Sequence, residues 1–363
     1  MIIRLYRVLN RWGLWLGVKC LGRQRVPSKV RQGLRDQERS FARWIKTQFG
    51  GSRWRGLCLR DVLVQPFQDL LNGAGGGEVY CGGVVFNDPE RQPALRHFRG
   101  QKALDRPLTQ LTTIQPRPLW LEGRQFWCGP LAFHFGHQIA DFGSRVLVSS
   151  IDPRAGELLW CPWRTAERFD ELLPWQQFLL TYLNPGKKRH RICTSPIQVR
   201  ELVVVPQQAR MRSAPTVAHL EALCWCERTL QARGCGVVYV SRARFAPCSD
   251  AQTLLGGYAA EALLEQMLWE RGVTVIHPET LSLNEQLEIY LGAEALIIAE
   301  GSAQHGLELL GFHADKPVIV LCRRKQREGM KWPLTARFPK SQFLEALTGQ
   351  WQAADGVVWN GLA

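Results

Sequence analysis

The last third of this chain alternates between short β-branched runs and amphipathic helical stretches, and nothing else in the sequence constrains the fold as strongly. Val237 to Ser241, Val273 to Ile276, Ala295 to Ala299 and Val318 to Leu321 read as strands. Between them, Tyr258 to Arg271 has helical periodicity closed by Gly272. Ser282-Leu283-Asn284-Glu285 has the capping-box pattern and opens a helix ending near Gly292, and Gly306 to Leu310 reads as a short helix. Strands alternating with helices at this spacing predict a parallel sheet covered on both faces. Upstream the pattern is looser. Pro130 to Ser149, Thr165 to Tyr182 and Val217 to Ala232 read as helices, with strands at Val79 to Phe86, Leu158 to Cys161 and Glu201 to Val205. Gly73-Ala74-Gly75-Gly76-Gly77 precedes a strand and carries no Gly-Lys-Ser/Thr, so it reads as a turn and not as a phosphate loop.

Composition narrows the class. Of 363 residues, 45% are hydrophobic and 21% charged, which supplies a sizeable core and excludes a disordered chain. The length predicts about two domains. No run approaches the ~18 consecutive apolar residues of a spanning helix. Arg4, Arg7 and Arg11 interrupt the nearest candidate, no signal-peptide order appears, and a cytosolic location is expected. Eleven cysteines without a CxxC pair read as reduced, mostly structural thiols.

Lys and Arg number 46 against 32 acidic residues, a net charge of +14. The excess favours anionic partners: nucleic acid, phosphorylated small molecules or an acidic membrane face. The basic residues are dispersed and no nucleic-acid motif occurs, so nucleic acid is not the expected partner. In residues 1–22, Ile2, Leu5, Leu9, Trp12 and Leu16 interleave with arginines. That pattern suits a helix lying on an anionic membrane surface and equally one packed on the domain. The run Lys187-Lys188-Arg189-His190-Arg191 reads as a solvated loop.

In a parallel sheet, ligands bind beyond the carboxyl ends of the strands. Arg242 directly follows the first strand of the last third, and Glu300-Gly301-Ser302 directly follows the third. A glycine and serine opening a helix present backbone N–H groups to phosphate, and Arg242 adds a permanently charged, bidentate clamp. In the other half, His137, Asp141 and Arg145 are four apart, which lines them along one helix face. A His–Asp pair can act as a general base, with either group taking the proton. His134, His137 and Asp141 also compose a two-histidine, one-carboxylate set. No further ligand cluster and no Asp-x-Asp accompanies it, so no metal and no cofactor is expected.

Tyr239-Val240-Ser241-Arg242 resembles the Y-I-S-R strand of the family 61 glycosyltransferases. The resemblance continues in the family's order through Ala260-Glu261, Gly272-Val273-Thr274-Val275-Ile276-His277-Pro278-Glu279, Glu285-Gln286, Ala293 and Glu300-Gly301-Ser302-Ala303-Gln304-His305. Upstream, His137-Gln138-Ile139-Ala140-Asp141-Phe142-Gly143-Ser144-Arg145 resembles the family's H-W-x-x-D/E-x-x-x-R helix. Together the matches cover roughly residues 80 to 322. The sequence departs from the pattern at Gln138 for tryptophan, Ala260 for asparagine and Glu300 for histidine. A carboxylate at Glu300 repels a diphosphate unless it is paired, and His305 is placed to take over part of the missing role.

The resemblance implies an α/β, GT-B-like protein: two Rossmann-like domains with parallel sheets facing a central cleft. Residues 1–56 would be a basic N-terminal segment, 57–215 the acceptor-side domain, 216–340 the donor-binding domain and 341–363 a tail. A nucleotide-sugar would be bound by Arg242, Gly301, Ser302, Glu300 and His305, with Arg145, Glu261 and Gln286 in support. The acceptor, a glycan or lipid-linked hydroxyl, would lose its proton to Asp141, with His137 as the near alternative. The transfer would be metal-independent and inverting, in a cytoplasmic protein peripheral to the membrane. The alternative is a non-catalytic basic protein, either a membrane-associated assembly factor or a nucleic-acid binder.

Overall fold

The structure, a computed structural model, describes residues 56–73, 77–87, 92–108, 118–162, 169–234, 236–244, 257–323, 328–345, 347–352 and 358–362. The amphipathic pattern of residues 1–22, and the basic segment up to residue 55, lie outside the described residues.

The N-terminal unit contains strands β1 (Leu57–Gly73), β2 (Gly77–Val85), β3 (Phe98–Arg99), β4 (Lys102–Ala103), β5 (Asp105–Leu108), β6 (Leu119–Leu131), β7 (Glu157–Pro162), β8 (His190–Ile192) and β9 (Ile197–Val204). Seven of them form one sheet in the order β5-β2-β1-β9-β6-β7-β8, while β3 and β4 make a separate small hairpin. Strands β9, β6, β7 and β8 run parallel, but β1 is antiparallel to both β2 and β9. The expected all-parallel Rossmann-like sheet is therefore a mixed one. Between β1 and β2 no other arrangement is open: Gly73 pairs with Gly77, and so short a connection only permits antiparallel strands. The basic run also differs from the expected loop, because its end enters β8 at His190. Lys188 Nζ lies 4.8 Å from the Phe126 ring centroid and Arg191 pairs with Glu157, while Lys187 and Arg189 are exposed.

The C-terminal unit adds β10 (Val237–Val240), β11 (Gly257–Ala259), β12 (Thr274–Ile276), β13 (Ala295–Ala299), β14 (Val318–Cys322), β15 (Ser341–Glu345), β16 (Leu347–Gln352) and β17 (Val358–Leu362). Five are wholly parallel in the order β12-β10-β13-β14-β15. Their apolar runs suit a sheet covered on both faces. Ser282 caps the helix Leu283–Gly292 through the expected reciprocal capping box with Glu285. Residues 341–363, expected as a tail, instead supply the sheet's edge strand β15 and a small β11-β17-β16 sheet. The alternation in Ser341–Glu345 is weak because an edge strand buries little, so its pairing with β14 is not evident locally.

One apolar cluster runs through both units. It joins Phe126, Val146, Leu147, Trp160 and Leu179 to Val238, Leu287, Tyr290, Leu296 and Leu307. Each such fully buried side chain contributes about 1.5–3 kcal/mol. Tyr182 of the first unit donates a hydrogen bond to the Leu309 carbonyl of the second, at 3.0 Å. The two units thus share one apolar core. Among the described residues no helix is long and apolar enough to cross a membrane.

Candidate active site

Strand β6 ends at Leu131 and leads through His134 into the helix carrying His137 and Asp141. His134 is its N-cap, and the His137 backbone N–H donates to His134 Nδ1 at 3.4 Å. The helix is α over Phe135–His137, π over Gln138–Phe142, 3₁₀ over Gly143–Arg145 and α again over Val146–Ile151. Gly143 permits the wide turn: a Cβ there would come within 2.9 Å of the Gln138 carbonyl oxygen. The Gln138 side chain, in the place of the family's tryptophan, accepts the Ala132 N–H at 2.6 Å and closes the strand-to-helix turn.

His137 and Asp141 meet as their spacing predicts, with Nδ1 3.1 Å from Oδ2. Arg145 does not share their surroundings. The π turn rotates the following residues, and Arg145 is wholly buried, donating to the carbonyls of Ala94, Leu95, Arg96 and Val205. Burial lowers its pKa to about 10, so it stays charged at neutral pH.

Into the place expected for Arg145 comes Arg99, from the β3–β4 hairpin. Its Nη2 is 2.5 Å from Asp141 Oδ2 and also contacts His137 Nδ1. Sequence reasoning missed Arg99, since no periodicity links a hairpin residue to a helix 38 positions later. The Asp141 side chain is fully buried, whereas that of His137 is 30% exposed. Burial alone would raise the Asp141 pKa, but the hydrogen bonds from His137 and Arg99 outweigh it and hold the carboxyl below its ordinary value.

The second half of the site comes from the parallel sheet. Strands β10 and β13 are neighbours with Val240 opposite Ile298, so the residues after them emerge side by side. The chain turns from β10 to β12 on one side and returns to β13 on the other, which makes this the crevice where ligands bind in open α/β sheets. Arg242 folds directly over Gly301: a Cβ on Gly301 would overlap the Arg242 guanidinium. Glu261 fixes the Arg242 backbone. Its Oε1 accepts Arg242 N–H at 2.8 Å, Tyr239 O–H at 2.7 Å and Ser241 O–H at 3.0 Å. Burial raises the Glu261 pKa against these hydrogen bonds. Ala260, in the place of the family's asparagine, has φ of 60°, a left-handed conformation that asparagine and glycine tolerate better.

Glu300 is paired through its carboxylate, which accepts the Arg323 backbone N–H at 2.8 Å, while Arg323 Nε donates to the Glu300 carbonyl. Ser302 is exposed at the start of the 3₁₀ helix Ser302–Leu309. Gln286 serves the turn before its own helix, donating to the Pro278 and Leu281 carbonyls. His305, hydrogen-bonded to Glu308 at 2.7 Å, packs its ring on Gly136, where a Cβ would lie 2.7 Å from Cδ2. The two half-sites therefore adjoin. Burial first, and then the nearby His137, His305 and Arg99, lower the His134 pKa to about 4. Among the described residues no group of three or more His, Cys, Asp or Glu is arranged to hold a metal ion.

A family model described as Glycosyltransferase 61 matches residues 135–310. The match starts at the first residue of the site helix and ends just past the helix that carries His305, so it spans both half-sites. No curated protein matches the chain. Residues 135–310 are thus a family 61 glycosyltransferase domain, the kind of enzyme domain that transfers sugars.

Proposed function

We propose that the chain moves a sugar from a nucleotide-sugar to a hydroxyl acceptor by a single, inverting displacement, in a GT-B-like arrangement. The observation that carries this reading is the packing of His305 on Gly136. It sets the Arg242–Gly301 crevice of one unit beside the His137–Asp141 pair of the other. Arg242 and the N–H groups at Ser302 supply positive field where the diphosphate would leave. The acceptor oxygen attacks the anomeric carbon, the bond to phosphate breaks, and its electron pair leaves with the nucleoside diphosphate.

Burial favours His137, the near alternative, over Asp141 as the proton acceptor. Asp141 has no exposed surface, so an acceptor reaches only His137. His137 takes the proton of the attacking hydroxyl, and Asp141, 3.1 Å from Nδ1, orients the ring. Arg99 already supplies the cation at Asp141 Oδ2, which supports chemistry independent of a metal. A glycan or lipid-linked acceptor, and a cytoplasmic site at the membrane surface, belong to the same proposal and rest on the basic charge.

A thermal-shift screen over nucleoside diphosphates and sugar nucleotides tests the donor. A ligand at ~100 times its Kd should add about 2.7 kcal/mol of stability. Turnover with the ligand so found should persist in EDTA. Turnover lost in EDTA and restored by manganese would overturn the metal-free mechanism.

A further inference from the structure

We propose that Gln304 is a specificity-determining residue that hydrogen-bonds a hydroxyl group of the donor sugar, an assignment that rests on the nucleotide-sugar reading above. The amide is buried at the seam of the two half-sites and left without a partner. Gln304 is 6% exposed, its Oε1 is shut off from solvent, and its side chain makes no hydrogen bond among the described residues. A buried amide oxygen without a donor destabilises the folded chain, and a leucine or methionine would fill the same space without that cost.

The helix Ser302–Leu309 places this amide. With three residues per turn, a 3₁₀ helix presents three sides. Ser302, His305 and Glu308 share the first, which meets the N-terminal unit: His305 packs on Gly136 and is hydrogen-bonded to Glu308. Ala303, Gly306 and Leu309 share the second, where a Cβ on Gly306 would come within 2.9 Å of the Tyr290 ring. Gln304 and Leu307 share the third. Leu307 is fully buried in the core common to both units and closes the deep end of that side. Gln304 lies one turn nearer the strand end, where its backbone N–H donates to the Gly301 carbonyl at 3.3 Å. It is thus one turn from the glycine under Arg242, and next in the chain to the histidine that touches the acceptor half-site.

The chemistry of the transfer puts a sugar at that position. The anomeric carbon has the leaving diphosphate on one side and the attacking hydroxyl on the other, so in this reading the ring lies between Arg242–Gly301 and His137. A diphosphate oxygen only accepts hydrogen bonds and cannot serve Oε1, whereas a sugar hydroxyl both donates and accepts. The match holds if the amide is turned over, since a hydroxyl serves the nitrogen equally well. Being neutral, the amide leaves the charge on the diphosphate to Arg242.

The test compares the wild type with Gln304→Met, which keeps the length of the side chain and removes both polar ends. Calorimetric titration uses UDP, GDP, ADP and dTDP, each alone and as its glucose, galactose, N-acetylglucosamine and mannose conjugates. The sugar nucleotide that the wild type binds best should bind Gln304→Met about 5- to 150-fold more weakly, the effect of leaving one buried hydroxyl unpaired. The matching nucleoside diphosphate, which lacks the sugar, should bind both proteins alike, and Tm should hold or rise. Equal affinity of both proteins for the sugar nucleotide would overturn the proposal. So would an equal loss for the diphosphate and its sugar conjugate, the mark of a purely structural role. A crystal structure of the wild type with that sugar nucleotide reads the contact without any variant: Gln304 more than about 3.5 Å from every sugar hydroxyl would also overturn it. A wild type that binds none of these compounds would instead overturn the nucleotide-sugar reading, and the proposal with it.

Discussion

Replacing Gly301 by alanine probes the diphosphate site without disturbing the backbone. Gly301 has φ of −177°, extended backbone that any residue adopts, so the methyl group brings no conformational strain. Its conflict is steric, and the three nearest heavy atoms all belong to Arg242: Nη1 is overlapped, Cζ would lie at 2.7 Å and Cδ at 3.0 Å. These atoms form the far end of a flexible side chain. The guanidinium is therefore displaced while β13 stays where it is, and stability should change by no more than about 0.5 kcal/mol. The loss is one charged hydrogen-bonding group on the donor, worth about 1.5–3 kcal/mol. That corresponds to a Kd weaker by about 10- to 150-fold. Calorimetric titration with the nucleoside diphosphate found in the screen reads the effect directly. Arg242→Ala should fall in the same range, and the double variant should be no weaker than Arg242→Ala alone, since both act through one group. Wild-type affinity in Gly301→Ala, or additive losses in the double variant, would refute the reasoning.

Other outcomes follow from the same geometry. His137→Gln and Asp141→Asn should each lower initial rates by about 100- to 10,000-fold with donor affinity unchanged, and near-normal rates in both folded variants would remove the pair from the mechanism. Ala260→Gly should stabilise the chain by about 1 kcal/mol by relieving the left-handed backbone at φ 60°, read as a raised Tm; an unchanged or lower Tm counts against it. Burial lowers the pKa of His134 and His190 to about 4 and of His219 to about 3, each from 6.5. Below ~6.5 the unfolded chain binds protons that these folded-state histidines refuse, so Tm should fall as pH drops toward ~4, and a flat profile would contradict this burial.

Apart from β11, whose Tyr258 and Ala259 read as the start of the following helix, the order of strands and helices from Val237 to Cys322 was legible because each element carries its own local signal. Parallel strands buried on both faces are continuous apolar runs, and Ser282 and Glu285 cap their helix from within four residues. The His137–Asp141 contact was legible for the same reason, since an i, i+4 spacing survives into a helix with little help from the rest of the fold. So was the place of Arg242 and Gly301, which follow from the rule that strand ends bind ligands. The tertiary structure decided what depends on distant register and on burial. The β10–β13 pairing set Arg242 over Gly301, and the π turn carried Arg145 away from the site. A hairpin brought Arg99 to Asp141, and the β13–β14 pairing brought the Arg323 backbone N–H to the Glu300 carboxylate. Burial, finally, separated two residues that spacing treats alike: Asp141 is enclosed and His137 faces the solvent. Local periodicity records which residues share a face, but how deeply that face is covered is set by chain segments far away in sequence.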